Sequence, residues 1–318
     1  MLRLGLCCAF RDADIKFRHT TARYASTLAD RERFLLDIAL HNAYALARAL
    51  EFCAAHGIGA FRVSSQLLPL YTHPELGWSL ALHAELRAAL VAAGDVARAS
   101  DIRLSFHPDQ FIAPGSPTAG TVAASLRELE YQAEVAELIG AEQLTLHGGG
   151  AQGGKTAALA RLTTNLAHLS ARARKRVVLE NDDRVYTVED LLPVCERHGI
   201  ALVYDVHHHR CNPDALDVVR ATDLAAATWR GREPWAHVSS PLGGWRVADP
   251  RPHADYIARR DVPESWLDRT MTIDVEAKAK ELAVLRLRDQ LGAATGKMRP
   301  RRPASRRRPR TRDRRAAS

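Results

Sequence analysis

The chain repeatedly ends a short apolar run on a side chain able to hold a metal ion. ArgLeuSerPhe runs into His107, GlnLeuThrLeu into His147, ArgValValLeu into Glu180, AlaLeuValTyr into Asp205, and MetThrIleAspVal into Glu276. If these runs are parallel strands, each delivers its last residue to the same edge of the sheet, so side chains far apart in sequence converge. A ring built this way belongs to the C-terminal face of a (β/α)8 barrel, where catalytic groups come from the ends of several strands. The pattern therefore constrains fold and chemistry together.

Apolar runs alternate with Ala/Leu/Arg-rich amphipathic stretches along the chain, the βα rhythm of a parallel sheet covered by helices. Eight runs lie near residues 3–8, 60–64, 102–106, 143–147, 176–180, 201–205, 235–239 and 271–275. Helices are expected over Asn42–Ala55, Ala81–Ala99, Val122–Ile139, Thr156–Ala173 and Glu276–Gln290. The expectation is an α/β fold of the TIM-barrel type, and a doubly wound open sheet is the alternative that pattern alone leaves standing. No internal repeat is present. The connections over 9–37 and 240–270 lack a clean helical pattern, and long loops at a barrel's catalytic face usually carry function.

At 318 residues the chain suits one barrel with an extension. It has no run of roughly 18 uncharged apolar residues, and its opening residues meet Arg11 and Asp12 before a signal-peptide core could form. A soluble cytoplasmic protein without a membrane partner is expected. The five cysteines show no CxxC spacing and are read as reduced, with Cys211 nearest the site. Residues 297–318 carry 11 of the 45 Lys and Arg and one of the 37 Asp and Glu, leaving 34 basic and 36 acidic residues in 1–296. The basicity is thus a tail on a nearly neutral domain. Two parts follow: a barrel domain over 1–296, and a disordered Arg/Pro-rich tail over 297–318 whose charge favours polyanions.

Imidazole nitrogens with carboxylate oxygens suit Zn²⁺, Mn²⁺ or Fe²⁺, and the absence of clustered thiolates argues against a structural zinc finger. His73, His208, His237 and His253 join the strand-end residues as candidates, and Asp205 and His208, three residues apart, have the spacing to share an ion. Ligands for more than one ion would permit a two-metal displacement at phosphorus. A competing motif is GlyGlyAlaGlnGlyGlyLysThr over 149–156, which satisfies GxxxxGK[ST] and follows a strand. It follows the fourth strand instead of the first, however, and His147 precedes it. A Gly-rich turn with Lys155 would serve a phosphodiester as well as a nucleotide.

Further motifs carry a resemblance. PheArgValSerSer (61–65) with ProLeuTyrThrHis (69–73), SerPheHisProAspGlnPhe (105–111), LeuHisGlyGlyGly (146–150), LeuGluAsnAspAsp (179–183), TyrAspValHisHisHis (204–209) and AspValGluAlaLysAlaLys (274–280) stand in order over roughly residues 1–290. Together they resemble the UV damage endonuclease family, with a barrel like that of endonuclease IV and xylose isomerase. The resemblance implies up to three divalent ions, commonly Mn²⁺ with Zn²⁺ or Mg²⁺ as alternatives. It also implies hydrolysis of the phosphodiester immediately 5′ to a UV photoproduct such as a pyrimidine dimer, with abasic sites as a further lesion. Carried over by motif, the ligands are His107, His147, Glu180, Asp205, His208, His237, His253 and Glu276, with His73 a ligand or phosphate contact. Lys155, Glu180 and His237 are assigned to catalysis. Gln110 and Phe111 are assigned to probing the duplex, and Arg62 and Lys155 to phosphate. Some members carry a lysine two residues before the seventh-strand histidine, where this chain has Trp235.

The reading is a monomeric, metal-dependent endonuclease of damaged double-stranded DNA, without an obligate protein partner. Selectivity would come from deformability, because a cross-linked or missing base costs less to unstack and flip than a paired one. A sugar isomerase or epimerase on the same scaffold, a non-enzymatic DNA-binding protein and a P-loop-like NTPase are the rival readings.

Overall fold

Eight parallel strands pair in chain order in the computed structural model, which describes residues 2–295, and the last strand returns to the first. They are β1 Leu2–Cys7, β2 Ala60–Val63, β3 Arg103–Phe106, β4 Gln143–His147, β5 Val177–Glu180, β6 Ala201–Asp205, β7 Trp235–Val238 and β8 Met271–Val275. The ladder from Leu2↔Met271 to Leu6↔Val275 closes the sheet, which removes the open-sheet alternative and with it the architecture of a P-loop NTPase. The helices are α1 Ala22–Ala25, α2 Arg31–Ala55, α3 Ala84–Ala99, α4 Ala119–Ile139, α5 Lys155–Leu166, α6 Ala171–Arg174, α7 Val188–His198, α8 Val206–Cys211, α9 Val218–Ala227 and α10 Glu281–Thr295. The tail at 297–318, read above as disordered, lies outside the described residues.

Strand residues alternate between two cores, as a period of two demands. Phe61, Val63, Leu179, Leu202, Tyr204, Ala236, Val238 and Ile273 pack outward beneath the helices. Ala60, Val178, Ala201, Val203 and Trp235 face inward and fill the barrel. Arg103 closes the lower end: its guanidinium stacks over the Trp235 ring at 4.4 Å and donates to Thr272 Oγ1 at 2.7 Å. Arg103 and Trp235 thus occupy the lower end, opposite the C-terminal ends of the strands.

α3 and α4 start within three residues of their expected bounds, and the other three expected helices depart further, each for a local reason. α2 starts at Arg31, inside the segment expected to lack a helix, because Asp30 caps it by accepting from Arg33 N. The stretch expected as one helix over 156–173 is two, since Ser170 caps a separate turn and is itself held by Glu130. α10 begins at Glu281 and not at Glu276. Lys280 takes a left-handed φ of 52°, and the Glu281 carboxylate accepts the N–H groups of Arg11, Asp12 and Ala13 at 2.7–3.0 Å.

The two long connections are likewise fixed by buried polar side chains. Asn42 accepts from Arg18 N at 2.7 Å and donates to Leu67 O at 2.9 Å, tying the loop after β1 to the loop after β2. Asp261 accepts from Ser240 Oγ at 2.5 Å and from Trp245 Nε1 at 2.9 Å, and Pro241 pairs with His253 in an antiparallel bridge. That bridge carries His253 over the barrel mouth.

Candidate metal centre

Strand register assembles the site. His147 is the Cα partner of Glu180, Asp205 of His237, and His237 of Asp274, while Glu180 pairs with Val203, two residues before Asp205, so five consecutive strands send side chains into the same end of the barrel. Glu180 is fully buried and central. Its Oε2 lies 2.7 Å from His107 Nε2 and 3.2 Å from His147 Nε2, and its Oε1 lies 2.8 Å from His237 Nδ1 and 3.4 Å from His208 Nδ1. Asp205 caps α8 through Oδ1, which accepts from His208 N at 2.7 Å, and turns Oδ2 toward His208 and His237. Asn181 holds that strand end in place by exchanging two 2.9 Å hydrogen bonds with the Asp205 backbone. Glu276 completes the ring, with Oε1 3.5 Å from His237 Nδ1 and Oε2 3.7 Å from His253 Nδ1.

The electrostatics follow from crowding. Burial alone would raise the Glu180 carboxyl, but the imidazoles of His237, His147 and His107 outweigh it and hold the group well below the usual carboxylate range. Burial disfavours a charged His208 ring, yet Asp205 and Glu180 outweigh burial and hold it well above the usual imidazole range. For His107 burial wins over Glu180, and its pKa falls. Glu276 is pulled down against burial chiefly by Arg62 and His237. Four buried or nearly buried carboxylates, on Glu180, Asp205, Asp274 and Glu276, thus share one arginine and a set of imidazoles.

A divalent cation fits this arrangement. His107, His147 and Glu180 form one set of donor atoms within 4.8 Å of one another, and Glu180, Asp205 and His237 form a second set, with Glu180 common to both. Two of these groups lack a hydrogen-bond partner although buried: Asp205 Oδ2, and His147 Nε2, which is close to Glu180 but not aligned to bond it. Buried polar atoms without partners are costly, and a metal ion satisfies both. The mixed imidazole and carboxylate set suits a first-row dication.

The remaining sequence-derived candidates divide. His107, His147, His208, His253 and Glu276 line a mouth cavity of about 790 Å³, and Glu180, Asp205 and His237 are buried behind them. Gln110 and Phe111 line its rim, and Phe111 is 79% exposed instead of tucked under its loop. The structure does not bring His73 to the ring. Its Nδ1 accepts from the backbone of Glu75 and Leu76, and its ring lines a separate depression beside Arg127 and Arg172. Lys155 also lies away from the cavity, with Nζ 2.5 Å from Asp190 Oδ2 at the start of α5. Arg62 lines the cavity base but is buried and bound to Asp274 and Glu276. Cys211 does not line the cavity; Cys8, which directly follows β1, does. Asp274 and Asn181 were not singled out in the sequence. Asp274 lies on β8 two residues before Glu276, which directly follows the strand, the spacing that turns both inward.

Comparison with known proteins agrees with this architecture. The profile of the family described as UV-endonuclease UvdE matches residues 2–301. The UV DNA damage endonuclease of Deinococcus radiodurans is 37% identical over 300 residues, covering 90% of this chain and 94% of that protein. The UV DNA damage endonuclease of Bacillus velezensis is 34% identical over 290 residues, covering 87% and 89%. The crystal structure of SacUVDE superposes with a TM-score of 0.84 at 28% identity, over 94% of this chain and all of that one. The chain belongs to the UV-endonuclease UvdE family.

Proposed function

We propose that the protein is a metal-dependent endonuclease that cleaves UV-damaged duplex DNA at the mouth of its barrel, hydrolysing the phosphodiester immediately 5′ to the lesion. One observation carries this reading: a single buried carboxylate, Glu180, is shared by two overlapping sets of metal-type donors at the open end of a plugged barrel. His107, His147 and Glu180 would hold one ion and Glu180, Asp205 and His237 another, with His208, His253 and Glu276 bordering them. A bound dication supplies Lewis acidity, lowering the pKa of water and neutralising charge on the scissile phosphate. Mn²⁺ is the proposed ion, and up to three is the proposed number.

The chain's own residues do the rest. The buried acids give the mouth a negative interior that attracts dications and needs them before a phosphate can approach. Gln110 and Phe111 project from the loop after β3, where an aromatic face can fill the stack left by extruded bases and an amide can reach exposed base edges. A distorted lesion costs less to open, which makes damage itself the signal. A monomer acting on DNA in the cytoplasm is the proposed working form. The barrel over 1–296 is proposed to hold the whole centre, with the tail over 297–318 adding salt-sensitive attraction to phosphate. No helix of the described residues is long and apolar enough to cross a membrane.

The test is incision mapping on an end-labelled duplex carrying one defined photoproduct, with Mn²⁺ and with other divalent ions. A cut immediately 5′ to the lesion leaving a 3′-hydroxyl is expected. Folded, metal-loaded protein that leaves the damaged strand intact overturns the reading.

A further inference from the structure

Beneath the ring lies a charged assembly that the metal-type donors do not include. Asp274 is fully buried; its Oδ2 accepts from Arg62 Nε at 3.0 Å and lies 3.0 Å from Nη2 as an ion pair. The opposite edge of the same guanidinium reaches the ring: Nη1 lies 2.6 Å from Glu276 Oε1, and Nη2 donates to His237 Nε2 at 2.9 Å. One arginine therefore fixes a carboxylate and an imidazole on neighbouring strands, and one aspartate fixes the arginine. The barrel is built to admit Asp274, since a Cβ on Gly5 would lie 2.2 Å from Asp274 Oδ1. Glycine opposite this carboxylate is required by contact alone.

We infer that Asp274 and Arg62 form a brace that orients Glu276 and His237 for metal binding, making both of them positioning residues instead of DNA contacts. The inference rests on the metal-dependent reading of this site. Arg62 is 8% exposed and its guanidinium is committed to three acceptors, so reaching a phosphate would mean breaking buried ion pairs. Arg62 Nη2 lies against His237 Nε2, the ring nitrogen on the far side from Glu180, which leaves Nδ1 turned toward Glu180 and Asp205. Ring orientation is thus set from both sides, as in sites where the groups behind a ligand tune its hold on a metal by about 10- to 100-fold.

The sign of one measurement separates a brace from simple electrostatics. Removing a positive charge beside a dication should tighten binding by Coulomb's law, whereas removing a brace should loosen it. The full-length protein, R62M, R62K and D274N are titrated with Mn²⁺ by calorimetry, and a metal-free thermal melt of each confirms folding. R62M is expected to bind Mn²⁺ about 10- to 100-fold more weakly. R62K restores the charge but offers a single ammonium to three acceptors, so it should stay weak. If R62M does not fold, D274N is read in its place, with weakened binding expected. Affinity in R62M equal to or tighter than wild type, or full rescue by R62K, overturns the brace. In the first case wild-type incision still stands, so the proposed function survives. Wild-type protein that neither binds Mn²⁺ nor incises overturns both.

Discussion

Replacing Phe111 by alanine separates recognition from folding more cleanly than any other change at this site. The ring is 79% exposed at the rim of the mouth, so its loss removes little buried area and should change unfolding free energy by less than about 0.5 kcal/mol. If the ring occupies the space left by extruded bases, the variant forfeits one stacking contact, worth about 1–3 kcal/mol. Affinity for a duplex with a defined photoproduct should then fall about 5- to 150-fold, while affinity for intact duplex stays nearly constant. No phosphate contact is lost, so the slope of log Kd against log salt should not change. Fluorescence anisotropy at several salt concentrations, with a thermal melt of the same samples, reads all three quantities. A variant that binds damaged duplex as tightly as wild type, or weakens both duplexes equally with a shallower salt slope, refutes the assignment.

Other expectations follow from the ring. Glu180→Gln removes the negative charge shared by both donor sets, so Mn²⁺ should no longer raise the melting temperature and incision should fall below detection. In metal-free protein, the raised His208 contributes stability that is complete below its ordinary pKa of about 6.5 and lost as pH rises through the folded value. Melts between neutral and alkaline pH should therefore show metal-free protein weakening with pH. Mn²⁺ affinity should strengthen over the same range, because ligand imidazoles must release protons to bind. Gly5→Ala forces a Cβ against Asp274, and urea titration should show a loss of about 1–3 kcal/mol, the usual cost of overpacking.

The strands and most of the ring were legible because parallel topology converts position in sequence into position in space. Each run of four to six residues ends at the same face, so the residue that closes a run is a residue of the mouth. The same rule would have found Cys8, which directly follows β1, in preference to Cys211, which sits six residues beyond Asp205 at the far end of α8. His73 and Lys155 had no strand to aim them. Each stands on a connection, and motif spacing alone does not say which way a connection turns. Lys155 lies next to Asp190, 35 residues on; a Cβ on Gly148, just before the motif, would meet the Tyr186 ring at 2.4 Å, and the Tyr186 hydroxyl donates to Gly150 O at 3.3 Å. A loop that matches a phosphate-binding pattern is here shaped by its packing against that tyrosine.

What the sequence concealed was the support beneath the ring. In a strand whose neighbours are Ile273 and Val275, a lone acid such as Asp274 reads as an interruption of the core, and Gly5 reads as a weak point in β1. Their meaning comes from the closure of the barrel, which pairs them across 269 residues of chain. Once paired, the small residue and the acid explain each other: one makes room, and the other anchors the arginine that steadies Glu276 and His237. A buried carboxylate is tolerated only where a partner offsets its desolvation, and Arg62 is that partner. The lower barrel obeys the same logic with different partners, since Arg103 stacks over Trp235 and pairs with Glu142 and Glu233. Both metal-type donor sets lie at the ring, so a dication drawn into the mouth meets Glu180 and its neighbours first.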